Sequence, residues 1–436
     1  MTGAMYAAIA GLKTHMQKLN VIGNNVANVN TQGYKSQRAI FKDAMYTMYS
    51  SGSNGTEVKG GQNPSQIGYG SQISSIDLNM RPGSFAPGNA LDCMIDGDGF
   101  FLVGDKNLAT DGVIDPNNPN SFKSFSLTRV GDFKFGPDGY LVDGSGSVVY
   151  GFMAIGTNAD GSPIMSDQLV PIRLPKMEKV PVNIQTGAEL TTPGDADKEG
   201  KAEDPDGWKY MMKPRFPVGA VDANGKPATN AQLQAAVDAS KQNPGTPPAD
   251  LKPTQLKDYV GKDANGNDVD LPFANIDGIS IDKNSGRISG TMKDTGEWVT
   301  LGFLAIGNVT NNEGLTHEGG FYYKCGDGAG DLSVSMLGGA EKSLYTPGGK
   351  METVNGSLAG QAGEWPTADE KKALSDKALI SSAGKTKLNP GGLEGSNTDL
   401  ATEISEMITT QRGYQANTRI ITVTDSMLEE LVNMKR

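Results

Sequence analysis

The chain has 436 residues, 37% of them apolar and 20% charged, with 57 glycines and a net charge of −11. Enough apolar surface is present for packed cores, which excludes a disordered chain, and at ~100–200 residues per domain the length implies roughly two to four domains. No apolar run approaches the ~20 residues of a membrane span, and a net negative chain lacks the basic footprint of a nucleic-acid binder.

The N-terminal segment reads as an amphipathic helix. Met5, Ile9, Leu12, Met16, Leu19 and Val26 fall at four- and three-residue steps, an a/d seam of about three heptads with Gly23 in the vacant place. Asn24, Asn25, Asn28, Asn30 and then Gly33 follow, and they predict a helix end near residue 30. The first 42 residues carry Lys13, Lys18, Lys35, Arg38 and Lys42 and no acid. A Lys-bearing amphipathic start is not a cleavable secretory signal.

The interior changes period. Strands are predicted at 72–78, 93–95, 99–103, 124–128, 132–135, 140–142 and 148–155, with turns such as Pro137-Asp138-Gly139. A second set is predicted at 278–281, 287–289, 298–306, 320–323 and 332–336. Close, regular spacing suggests sandwich- or barrel-like β domains. Residues 190–272 are poorer in strand signal and read as an insertion. They hold hairpin-turn signals at Asn224-Gly225 and Asn265-Gly266 and one helix near 230–240. The stretch 346–395 reads as irregular with a short helix at 367–379.

The C-terminal segment repeats the heptad signal. Leu400, Ile404, Met407, Gln411, Tyr414, Thr418, Ile421, Asp425, Leu428 and Val432 keep the 4-3 spacing, broken only by Gly413, and Ser396 with Asp399 marks its start. Polar residues in such a seam fix register at a cost in stability.

Catalytic constellations fail on inspection. There is no H-E-x-x-H, G-x-S-x-G or C-x-x-C pattern, and Cys93, Cys325, His15 and His317 are too few for a zinc site or a disulfide framework. Gly384-Lys385-Thr386 lacks the first phosphate-loop glycine, where Leu379 stands; Asp263, Asn265 and Asn267 lack the calcium-loop Gly and terminal Glu. Asp96-Gly97-Asp98-Gly99 reads as a turn between strands rather than a carboxylate pair. These observations point away from an enzyme and from any cofactor or metal.

Two helices at opposite ends of a chain can pair antiparallel. Residues 397–436 hold six acids and four bases against a wholly basic N-terminal helix. Ile22, Val29, Ile408, Ile420, Val423, Met427, Leu431 and Met434 lie off the seams and gain from burial against neighbouring copies. A non-closing repeat of such a contact builds a filament. Spacing alone leaves open an ordinary helical subdomain folded back on the β core.

The segment from Leu19-Asn20-Val21-Ile22-Gly23-Asn24-Asn25-Val26-Ala27-Asn28 through Gly33-Tyr34-Lys35 resembles the N-terminal signature of bacterial flagellar rod and hook proteins. Gly392-Leu393-Glu394-Gly395-Ser396-Asn397-Thr398-Asp399-Leu400, with Gln411-Arg412, Tyr414-Gln415 and Asn417, resembles their C-terminal one. Ile95-Asp96-Gly97-Asp98-Gly99-Phe100-Phe101 and Thr128-Arg129-Val130-Gly131-Asp132-Phe133 match internal blocks. The long stretch between the β blocks fits hook members better than the shorter distal rod members. The resemblance implies a multidomain chain: terminal α-helices paired as a coiled coil, plus two mainly-β domains.

The expected division is 1–32 with 396–436 for polymerisation, 33–70 as an extended linker, 71–165 with 290–345 as a β domain, 166–289 as an inserted outer β-rich domain, and 346–395 as an irregular return. The resemblance further implies a tube joining rod to filament and passing torque. Expected partners are other copies, rod proteins, a hook cap, hook–filament junction proteins and the flagellar type III export apparatus. Export would need no cleaved signal and would place the chain outside the cell. The expected interface residues are Ile9, Leu12, Met16, Leu19, Ile22, Asn24, Asn25, Val26, Asn28, Leu400, Ile404, Met407, Ile408, Gln411, Tyr414, Ile421, Leu428 and Leu431. A distal rod subunit, or a non-enzymatic export-associated cap, is the alternative.

Overall fold

The structure, a computed structural model, describes the chain except residues 1, 56, 58, 107–123, 158–162, 187–188, 191–193, 195–197, 203, 223–226, 230–231, 233–234, 236–250, 258, 263–267, 331, 337–344, 347–349, 352–385 and 435–436. The two Asn-Gly turns, the helix expected at 367–379, the Lys385 phosphate-loop fragment and nearly all of the helix expected near 230–240 lie outside the described residues. The chain divides into two compact units, residues 1–84 with 312–314 and 395–436, and residues 85–311 with 315–394.

The first unit begins with helix α1, Thr2–Ala27. Its end is built by the asparagines: the Asn28 amide and its Nδ2 both donate to the Asn24 carbonyl, at 3.1 and 2.9 Å, and the following turns run to Gly33 at φ 67°. Strand β1 (Gln37–Asp43), β2 (Tyr46–Ser50), β3 (Ser65–Gly68) and β4 (Ser71–Leu78) follow; β1 pairs with β4, and β2 with β3, all antiparallel. Residues 33–70, expected as a linker, therefore carry three strands. The strand at 71–78, expected in a β domain, closes a ladder inside the helical unit. Its partner was missed because Gln37–Asp43 is mostly exposed and lacks a sustained alternation. The unit ends with helix α2, Leu400–Met434. Its cap is Asp399, whose carboxylate accepts from the Ala401 amide at 3.1 Å and the Thr402 hydroxyl at 2.6 Å. Ser396, the expected start signal, instead bonds the Thr398 amide outside the helix.

The second unit is built on strands β5 (Phe85–Pro87), β6 (Cys93–Asp96), β7 (Phe100–Gly104), β8 (Ser126–Thr128), β9 (Lys134–Phe135), β10 (Leu141–Val142), β11 (Val148–Thr157) and β12 (Pro163–Pro171). Three two-stranded ladders come next: β13 (Lys176–Asn183) with β14 (Trp208–Arg215), β15 (Val218–Asp222) with β16 (Leu251–Lys257), and β17 (Gly261–Lys262) with β18 (Asp268–Val269). The chain continues with β19 (Ile276–Ile281), β20 (Arg287–Met292), β21 (Trp298–Val309), β22 (Thr316–Gly319), β23 (Tyr322–Lys324), β24 (Leu332–Met336), β25 (Tyr345–Thr346) and β26 (Lys350–Met351), and returns through β27 (Lys387–Pro390) and β28 (Gly392–Glu394).

The main sheet runs β19-β20-β21-β11-β7-β8-β23-β22, with β9, β10, β12 and β24 attached to it. Its two longest strands, β11 and β21, pair at their middles and are mostly buried, on both faces of the sheet. Ile95, Phe101, Val149, Leu304 and Ile306 form the centre of the core. Asp96 to Gly99 is the expected turn, with Gly97 and Gly99 at φ 124° and 119°. Cys93 and Cys325 are free and buried; burial, and then the charge of Asp92, push the Cys93 thiol up.

The return strands are tied down by charge. Arg129 and Glu394, both fully buried, approach to 3.7 Å, while Arg129 donates to the Gly97 carbonyl at 2.8 Å and lies 5.3 Å from the Phe100 ring. Arg215 joins the first inserted ladder by pairing with Glu178 at 2.6 Å and Glu189 at 2.9 Å, and the Tyr259 hydroxyl donates to Glu178.

Candidate functional site

The helical unit holds most of the exposed large apolar side chains, so its surfaces are the candidate site. α1 and α2 pack antiparallel. Gly11 faces Asn417, His15 faces Gly413, Lys18 pairs with Glu406 at 2.9 Å, and Asn25 donates to Glu403 at 2.9 Å.

The contact is made of small and polar groups. A Cβ on Gly11 would lie 2.6 Å from Asn417 Nδ2, and one on Gly413 2.8 Å from His15 Cε1. Each helix thus offers a glycine to a side chain of the other, and one turn further its own side chain to the other's glycine. Ala8 and Thr14 on α1, and Thr410 and Thr424 on α2, are buried; each threonine satisfies its hydroxyl on a carbonyl of its own helix. The β1–β4 ladder covers a second side of α1: Thr14 meets the Ser71 hydroxyl at 3.2 Å, His15 meets the Phe41 ring edge-on, and Gly70, at φ 106°, lies against Ala7 and Ala10. Burial, and then Lys18, hold His15 below its ordinary pKa, and its Nδ1 is buried without a hydrogen-bond partner.

Asn25 is the joint of the unit. Its Nδ2 donates to the Gln37 carbonyl and to Glu403, and its Oδ1 accepts from the Gln37 amide and the Tyr34 hydroxyl. Asn397 does the same for the chain crossings: it accepts from the Ser36 amide at 2.7 Å and donates to the carbonyls of Asn79 and Arg81. Burial, with Glu406 and Asp399 adding to it, raises the pKa of Glu403 against the opposing pull of Asn25 and Lys18.

The expected interface residues separate into two groups. Ile22 and Asn25 are buried within the chain's own unit, so neither is free to meet another copy. Met407, Ile421 and Leu428 are partly buried; Leu12, Leu19 and Val26 on α1, and Asn28 in the turn after it, are partly exposed. Ile9, Met16, Asn24, Leu400, Ile404, Ile408, Gln411, Tyr414 and Leu431 are exposed; Asn24 donates to the Tyr34 hydroxyl. The α1 seam does not face α2. Met16 keeps half of its surface in water, and the whole Met5–Leu19 line forms an outward ridge. The apolar line of α1 lies one residue off the line turned to α2. The stripe turned to α2 runs through Gly11, His15, Lys18 and Asn25, with buried Ala8 and Ile22 on the same line, so it is too mixed to read as a hydrophobic seam. Its trace in the sequence is a glycine one turn before a larger side chain on each helix, Gly11 with His15 and Gly413 with Asn417.

Residues 5–35 match the family model described as flagella basal body rod protein, and residues 389–434 match that described as flagellar basal body rod FlgEFG protein C-terminal. The two matches fall on α1 with its turn and on α2 with its lead-in. Over its whole length the chain is 26% identical to the flagellar hook protein FlgE of Borreliella burgdorferi and 27% identical to that of Treponema pallidum, each also covered in full. It is 26% identical to the flagellar basal-body rod protein FlgG of Bacillus subtilis, again over all of both chains. A crystal structure of Helicobacter pylori flagellar hook protein FlgE2 aligns with 62% of this chain and 97% of its own at 13% identity and a TM-score of 0.25, and nothing below rests on it. The chain is similar over its whole length to flagellar hook and rod proteins, and its two ends match the rod-protein family models. Its relatives are structural components of the flagellar axis.

Proposed function

We propose that the chain is a structural subunit of the flagellar hook, not an enzyme, and that it polymerises through α1 and α2. One observation carries this reading: full-length similarity to hook proteins coincides with helices whose apolar ridges the chain leaves uncovered. Burying such side chains is worth roughly 1.5–3 kcal/mol each when complete, and only neighbouring copies can supply that cover along a whole tube. In the polymer α1 and α2 act as a coiled-coil pair forming the inner wall. The β unit, rich in glycine, forms outer contacts that slide as the tube bends, while the helices carry torque. Rod proteins, a cap, junction proteins and the type III export apparatus are its partners, and export needs no cleaved signal. The exposed members of the expected interface set belong to this proposal, with polymerisation assigned to residues 1–84 and 395–436 rather than to the helices alone.

A distal rod subunit is the second reading, favoured by the full-length match to a basal-body rod protein. Electron microscopy of the purified protein under assembly conditions tests the first. Long tubes that curve and can be straightened support a hook subunit; straight, stiff tubes support the rod. Small closed rings or monomers at high concentration refute both. Deleting residues 397–436 is expected to abolish tubes and leave the β unit folded.

A further inference from the structure

The helical unit carries two uncovered ridges that match each other. On α1, Met5, Ile9, Leu12, Met16 and Leu19 advance by four, three, four and three residues; on α2, Ile420, Val423, Met427, Leu431 and Met434 advance by three, four, four and three. Both are partly or largely exposed. Each ridge is about 21 Å long at 1.5 Å per residue. They cannot cover each other within one chain. At 100° per residue the α1 ridge lies more than about 100° to one side of the line through Gly11 and Lys18, and the α2 ridge about 80° to the opposite side of the pair. The two therefore sit on opposite flanks, and joining the flank of one copy to the opposite flank of the next makes a contact that repeats without closing on itself. Their combined exposed area is on the order of 1,000 Å², the lower bound of a specific interface. Charge agrees: Lys13 borders the α1 ridge and Glu430 borders the α2 ridge, while Lys18 is already paired with Glu406 within the chain.

Resting on the self-assembly reading above, we propose that the Met5–Leu19 ridge of one copy packs on the Ile420–Met434 ridge of a second copy, antiparallel, with Leu12 beside Met427 and Met16 beside Val423. The direction follows from the pair itself: α1 and α2 oppose each other in one chain, so copies that all point the same way along a tube place α1 of one against α2 of the next in the same sense. The register is offset from the internal one. Within a chain His15 meets Gly413 and Gly11 meets Asn417, so Leu12 lies near Ala416. The neighbour's α2 is shifted by about eleven residues, roughly 16 Å along the helix.

The test copolymerises two singly substituted full-length chains, Leu12→Cys and Met427→Cys, and oxidises the product, so that a mixed disulfide can only join two copies. Cys93 and Cys325 are buried and stay silent. The mixed dimer is expected at many times the yield from Leu12→Cys with Ile408→Cys, whose position lies about 100° around α2 from the ridge and about nineteen residues from Met427. The pair Met16→Cys and Val423→Cys repeats the measurement should the first impair assembly. A side-chain-resolution map of the unsubstituted tube reads the same register with no substitution. Tubes in which Leu12 and Met427 are no closer than the control pair overturn the register and leave the hook reading standing. Absence of any polymer from the unsubstituted chain overturns both.

Discussion

His15 occupies the space in which a side chain at Gly413 would stand, with 2.8 Å between the ring Cε1 and the position of the missing Cβ. The glycine that interrupts the α2 heptad is therefore a receptor for α1. Replacing it with alanine favours the isolated helix by about 1 kcal/mol but forces a rigid ring away from its seat, at about 1–3 kcal/mol. Gly413→Ala is expected to weaken pairing, and His15→Ala in the same chain to restore it, as read by urea unfolding followed by helix circular dichroism. Gly11→Ala is expected to be milder, because the atom it meets is the far end of the Asn417 side chain.

The same histidine makes helix pairing depend on pH. Its pKa in the folded chain lies below the ordinary 6.5 because burial disfavours the imidazolium and Lys18 adds to this. The unfolded chain then binds the proton more readily, so the contribution is fully present above pH 6.5 and is lost as pH falls from there through the folded value. Glu403 works in the opposite direction, since its raised pKa favours the acid form in the folded chain as pH falls. Comparing His15→Gln with the unsubstituted chain between pH 7.5 and 5.5 isolates the histidine. The difference in unfolding free energy is expected to shrink on acidification, and a constant difference would sink the assignment.

Asn25→Leu keeps the volume near native and removes four hydrogen bonds. It orphans the Glu403 carboxylate and the Gln37 backbone, and at about 1–3 kcal/mol for each buried group left unpaired it is expected to unfold the helical unit before the β unit. Helix circular dichroism follows the helical unit, while tryptophan fluorescence follows the β unit, which holds Trp208 and Trp298; loss of the first signal at lower denaturant than the second is the expected outcome.

In the β unit, Glu394→Ala leaves Arg129 buried without its carboxylate. The expected loss is about 3–5 kcal/mol, measured by denaturant unfolding of the tryptophan signal. Replacing both members, Arg129→Met with Glu394→Leu, is expected to cost much less. A single and a double change of equal cost would show that the pair does not anchor the return strands.

The fold was partly legible because burial leaves a period. The strands expected at 148–155 and 298–306 lie within Val148–Thr157 and Trp298–Val309, and Leu332–Met336 has the expected bounds. Elements with little buried surface left no such trace: β1 to β3 are mainly exposed, and β14 in the insertion mixes lysines, methionines and a proline. Within the site, the ridges were legible as heptads, but a heptad states only that a stripe is apolar. It does not distinguish a stripe facing the chain's own partner helix from one facing another molecule. Here the internal contact mixes glycine, threonine, histidine and asparagine with Ala8 and Ile22, a line too mixed to stand out by hydropathy, while Ile9 and Met16 stay exposed.

The bond between Asn25 and Glu403 spans 378 positions of the sequence. A chain of which only the beginning has been delivered holds α1 but nothing to set it against, so it cannot yet present the paired helices to a growing end. Contacts this distant in sequence form late in folding. On the assembly proposed above, a product that ends before residue 397 keeps Asn25 without Glu403 and is expected not to join the tube.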